Sequence, residues 1–80
     1  MKNPHAIATD KAVVCSRFAA RLREIRKQSN LSQEKLAAEA GLDRTYVSGC
    51  ERGVRNISLA NIVKLAAALG VQPSELLDNQ

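Results

Sequence analysis

The 80-residue sequence contains no tryptophan, one phenylalanine and one tyrosine. A core built around large rings is therefore excluded. Leu, Ile, Val and Ala must fill the interior, which suits packed helices with alanines at the close crossings. Strand signals are missing as well, since no β-branched run alternates with polar residues between turns. The two cysteines, Cys15 and Cys50, and the single histidine, His5, stand in no metal-ligand spacing, so no metal site is expected and both thiols are expected to be reduced. No apolar run is long enough to span a bilayer, and the N-terminal segment has no signal-peptide core. A cytoplasmic protein without a membrane partner is expected. No nucleophile lies beside a base, no carboxylates are paired at a working spacing, and no glycine-rich loop could cradle a phosphate. Ser48 and Cys50 are the candidate nucleophiles, and the histidine is far from both. Neither an enzyme nor a cofactor is expected.

What is present is basic charge, unevenly placed. Twelve Lys and Arg against eight Asp and Glu give a net charge of +4, a mild bias toward an anionic partner. Lys11, Arg17, Arg21, Arg23, Arg26 and Lys27 crowd one segment. Arg44, Arg52, Arg55 and Lys64 follow, and after Lys64 the only charges are Glu75 and Asp78. One surface for nucleic acid and another for a protein partner would produce this distribution.

The chain divides into a tail at 1–9, expected to be flexible because Pro4 opposes helix and no periodicity appears, and one domain at 10–80. A first helix is predicted from Asp10 or Lys11 to Gln28, with Val14, Phe18, Leu22 and Ile25 as its apolar stripe. Asn30 can take the left-handed conformation that ends it. A second helix runs from the Ser32 cap to Ala40, and Gly41 stops it. Asp43 caps a third helix that runs to Arg52. Ser58 caps a fourth through Leu69, with Leu59, Ile62, Leu65, Ala66 and Leu69 on one side. Pro73 opens a short fifth helix to Leu77. Leu76 and Leu77 are adjacent and cannot both face one core. The last three residues are expected to fray.

The stretch SQEKLAAEAGLDRTYVSGCER, residues 32–52, organises this plan. Small residues Ala37 and Ala40 permit close approach of the second and third helices. The third helix turns Val47, Cys50 and the aliphatic part of Glu51 inward. Its other face carries Arg44, Thr45, Ser48, Gly49 and Arg52, rich in donors and free of large apolar groups. Such a helix, held by a tight turn after another helix, fits the major groove of DNA.

With these residues, and with NISLANIVKLAAALGVQPSELL after them, the chain resembles the lambda-repressor-like, Cro-type helix-turn-helix family from about Phe18 to Leu77. A narrower resemblance, carried by LDRTYVSGCERGVRNIS, is to the controller proteins of restriction-modification systems. The resemblance implies a compact five-helix, all-α bundle. It also implies a sequence-specific transcriptional regulator that acts as a homodimer on an inverted-repeat operator and regulates its own promoter, activating at low occupancy and repressing when a second dimer joins. Double-stranded DNA is then the principal partner and RNA polymerase a further candidate.

Arg44 and Thr45 match the family's base-reading positions, with Tyr46 and Ser48 alongside. A further base-reading position falls at Gly49, which has no side chain. Gln33 matches the residue that braces the DNA backbone, and Ser32, Arg52, Arg55 and Asn56 lie where phosphates would pass. Arg17 and Arg23 are more distant backbone candidates. Arg26 and Glu51 match a structural ion pair. The dimer seam is expected at Ala60, Lys64, Ala68, Val71, Leu76 and Leu77. A phage-type repressor or an antitoxin-type autoregulator would share every one of these motifs. A protein-interaction module that has lost DNA binding is the alternative of a different class.

Overall fold

The computed structural model describes residues 9–77. Apart from Thr9, the tail expected at 1–9 lies outside these residues, as does the fraying expected at 78–80. The described chain forms five helices and no strand: α1 Lys11–Gln28, α2 Gln33–Ala40, α3 Arg44–Glu51, α4 Leu59–Leu69 and α5 Pro73–Leu76. No helix among them is long and apolar enough to cross a membrane.

Local chemistry sets the boundaries. The Asp10 carboxylate accepts from the backbone N–H groups of Ala12 and Val13 at 3.0 and 3.2 Å. The Ser32 hydroxyl accepts from Lys35 N–H at 3.0 Å, and that of Ser58 from Asn61 N–H at 3.2 Å. Each cap satisfies donors that the first turn leaves free. At the other ends, Gly41 and Gly70 both adopt φ +71. Leu42 N–H then returns to Ala37 C=O at 2.9 Å, and Val71 N–H to Ala66 C=O at 3.0 Å. Those reversals need a left-handed residue, which glycine adopts without a Cβ clash. Asn30 does the same for α1 at φ 59. Asp43 behaves differently from expectation. It occupies the N-cap position of α3, but its side chain makes no capping bond.

The core draws on every helix: Phe18, Leu22 and Ile25 of α1, Leu36, Ala37 and Ala40 of α2, Val47 and Cys50 of α3, Ile62, Leu65, Ala66 and Leu69 of α4, and Leu76 of α5. Helix α2 packs on α3 and α4, α1 on α3 and α5, and α5 closes against α4. Arg21 of α1 fastens α5 further by donating to Glu75 C=O at 2.8 Å. Each fully buried leucine is worth about 1.5–3 kcal/mol in apolar burial.

Three apolar positions depart from the periodic reading. Val14, placed on the α1 stripe, is 46% exposed, and Leu59, placed on the α4 stripe, is 73% exposed. In α1 the fully buried residues begin only at Phe18. Leu59 is the first residue of α4 and lies beyond the reach of the neighbouring helices. Leu76, assigned to a dimer seam, has no exposed surface, whereas Leu77 is 50% exposed. Leu76 is spent on this chain's own core and cannot meet a second subunit. Ala68 and Val71, assigned to the same seam, are half-buried against that core.

Candidate nucleic-acid interface

The turn between α2 and α3 holds the two helices at a fixed angle. Ala37 and Ala40 bring the backbones close, Leu42 packs on the core from the turn, and Val47 and Cys50 lock α3 from beneath. The start of α3 is left facing outward, with Arg44 and Thr45 exposed and Tyr46 and Ser48 half-buried. Arg52, Arg55 and Asn56 are exposed at its far end. Across an open groove from Arg55 and Asn56 stand Lys11 and Cys15 at the beginning of α1.

An ion pair at the base of α3 fixes this surface. Glu51 is the buried charged residue of the fold, its side chain only 1% exposed, and Arg26 faces it at 12%. The guanidinium of Arg26 donates from Nε and Nη2 to the two carboxylate oxygens at 2.5 and 2.9 Å. Its Nη1 donates to Leu31 C=O at 2.7 Å. Gln33 Nε2 donates to the same carboxylate at 3.0 Å. Glu51 therefore ties the end of α1, the start of α2 and the end of α3 in one network. The carboxylate holds the Arg26 guanidinium above its ordinary pKa, mainly through the hydrogen bond, against a smaller opposing effect of burial. No buried polar side-chain atom among the described residues lacks a partner.

The same network orients Gln33. One amide hydrogen is used on Glu51, and the other and the carbonyl remain for an outside partner at the N-terminus of α2. There the free backbone N–H groups favour an anion.

A second cluster was not anticipated from the sequence. Asn61 Nδ2, on α4, donates to the Tyr46 hydroxyl at 3.0 Å. The Arg55 guanidinium lies over the Tyr46 ring, 5.3 Å from its centroid, within range of a cation–π attraction. Gly49 is buried rather than open on the outer face. A Cβ built there would stand 3.0 Å from both Cγ and Nε of Arg55. The position read as an empty base-reading slot is therefore covered by another residue's side chain. The available signal was a glycine in mid-helix, which costs about 1 kcal/mol against alanine and calls for a compensating packing reason.

Comparison with known proteins places this geometry. A family model described as "Helix-turn-helix" matches residues 22–76. Control protein C.BamHI of Bacillus amyloliquefaciens is 60% identical over 62 residues, covering 76% of this chain and 76% of the relative. The crystal structure of the restriction-modification controller protein C.AhdI from Aeromonas hydrophila superposes with a TM-score of 0.77 at 58% identity, covering 78% of this chain and 94% of that one. A hypothetical transcription factor from Neisseria superposes with a TM-score of 0.81 at 46% identity, covering 92% and 85%.

Proposed function

The chain belongs to the helix-turn-helix family, and on that premise we propose that it is a sequence-specific transcriptional regulator of the restriction-modification controller kind. It binds an inverted-repeat operator as a homodimer and regulates its own promoter. One observation carries the reading. The Arg26–Glu51–Gln33 network sets α3 rigidly while leaving Arg44 and Thr45 exposed at its leading end.

Arg44 presents a planar fork of donors that matches the O6 and N7 acceptors of guanine, and Thr45 offers a hydroxyl and a methyl group. Tyr46 and Ser48 flank them. Ser32, Gln33, Arg52, Arg55 and Asn56 meet the phosphates on either side and set the register, while the base contacts choose the sequence.

One module reads too few base pairs to find a single site in a genome. A two-fold dimer doubles the site, with half-sites about one DNA turn apart. The outer face of α4 is suited to the seam. Leu59 and Val63 lie one turn apart and exposed, beside exposed Ala60 and Lys64, with exposed Leu77 following α5. In this reading the protein works in the cytoplasm, RNA polymerase is the second protein partner when a first dimer activates, and a second dimer represses.

Selection of bound duplexes from a random library at near-physiological salt tests the proposal. An enriched inverted repeat with a guanine at a fixed place in each half is expected. Binding without enrichment would leave an electrostatic DNA binder only. No binding would transfer the recognition helix to a protein partner.

A further inference from the structure

Helix formation does not explain a glycine at position 49, in the interior of α3. Glycine weakens a helix interior, and the three heavy atoms nearest to a Cβ at this position all belong to Arg55. The side chain of Arg55 lies along α3 over this gap, and its guanidinium ends over the Tyr46 ring. The Tyr46 ring is in turn held by the hydrogen bond that its hydroxyl accepts from Asn61. A residue six positions further along the chain is thereby laid on the recognition helix itself.

We propose that Gly49 is a positioning residue, a seat whose missing side chain fixes Arg55 against Tyr46 in the arrangement that meets DNA. The proposal rests on the DNA-binding reading given above. Arg55 follows the end of α3 in an irregular segment. An arginine in such a segment loses side-chain freedom when it engages a ligand, and that loss is smaller if it is already seated. The seat combines the flat gap at Gly49, which receives the Cγ–Nε stem, with the ring, which receives the cation. Asn61 contributes by fixing the ring. Its amide donates to the phenol oxygen at 3.0 Å and so holds the hydroxyl end of the ring in place.

The expected behaviour separates positioning from folding. An added methyl group at position 49 stands 3.0 Å from two Arg55 side-chain atoms, so the Arg55 stem must give way by a few tenths of an ångström and lose its fit between the helix and the ring, while the helix itself gains a better former. Gly49→Ala is therefore expected to melt at or above the parent's temperature by circular dichroism. It is expected to bind the duplex enriched by the random-library selection about tenfold more weakly.

The deciding measurement is the same substitution made together with Arg55→Ala. With no arginine to displace, Gly49→Ala is expected to cost nothing further in affinity. Undiminished binding by Gly49→Ala alone would overturn the proposal. So would an equal loss in the Arg55→Ala background, which would mean that the methyl group clashes with DNA directly. If the parent protein enriches no duplex, the DNA-binding reading fails first, and that outcome is distinguishable from either of these.

Discussion

Removing one partner of the Arg26–Glu51 pair is expected to be costly, and unequally so for the two partners. In Glu51→Ala, Arg26 keeps its bond to Leu31 C=O and, at 12% side-chain exposure, retains some access to water. In Arg26→Met, the Glu51 carboxylate, only 1% exposed, is left with Gln33 as its remaining side-chain donor. Breaking a buried pair costs about 3–5 kcal/mol because a charge is left uncompensated. The glutamate substitution belongs at the lower end of that range and the arginine substitution at the upper. For an 80-residue chain the whole folding stability is on the order of 4–12 kcal/mol, so either change removes a large part of it. At about 4–8 °C per kcal/mol for a domain of this size, Glu51→Ala should lower the melting temperature by about 12–24 °C. The double variant Arg26→Met/Glu51→Leu should recover most of that loss, since apolar replacement of both partners leaves nothing unpaired. Far-UV circular dichroism melts of the three variants decide the matter. A shift below about 4 °C for both single variants would refute the reasoning. A larger loss for Glu51→Ala than for Arg26→Met would refute the assigned asymmetry.

Arg44→Ala should cost about 1–3 kcal/mol on the selected operator and relax preference at one base in each half-site. An equal loss on random duplex would show that Arg44 only neutralises phosphate. If α4 forms the proposed dimer seam, Val63→Asp should place an unpaired charge there and weaken association by on the order of 3 kcal/mol, roughly a hundredfold. Sedimentation equilibrium that finds the parent and variant equally associated would remove α4 from the interface. Burial pushes the Cys50 thiol above its usual value near 9.0, with Glu51 adding to the rise and the Tyr46 bond and the Arg55 charge opposing it. Because the folded value is the higher one, the unfolded thiol ionises first. The contribution to stability is complete below that usual value and is lost as pH rises through the raised folded value. Urea midpoints should therefore fall more steeply above pH 9.0 in the parent than in Cys50→Val, and parallel pH profiles would contradict the burial effect.

Much of this architecture was legible because short-range chemistry dictates it. Ser32 and Ser58 cap their helices, and Gly41, Asn30 and Gly70 end them. Each effect acts within one turn. The Arg26–Glu51 pair was legible through family resemblance, and the structure adds the third member of the network, Gln33. Periodicity failed where it had to. It groups residues by angle around a helix, but it carries no information on whether another helix lies opposite. Val14 and Leu59 share the angle of their stripes yet stay exposed, whereas of the adjacent Leu76 and Leu77 only Leu76 is covered by the core. Asp43 has the right residue type and backbone for a cap, yet its carboxylate does not bond the α3 amides. The Arg55–Tyr46–Asn61 cluster was invisible for a different reason. It joins α3, the loop after it and α4, and each contact depends on a polar side chain whose direction no local pattern encodes.

Tyr46 has one more consequence. With no tryptophan and a single tyrosine in the chain, the protein's intrinsic near-ultraviolet emission comes from the phenol that bonds Asn61 and lies beneath Arg55. The optical signal of the whole molecule thus originates at the surface proposed to meet DNA. Tyrosine fluorescence, with no label attached, reports the state of that surface, undiluted by signals from the core.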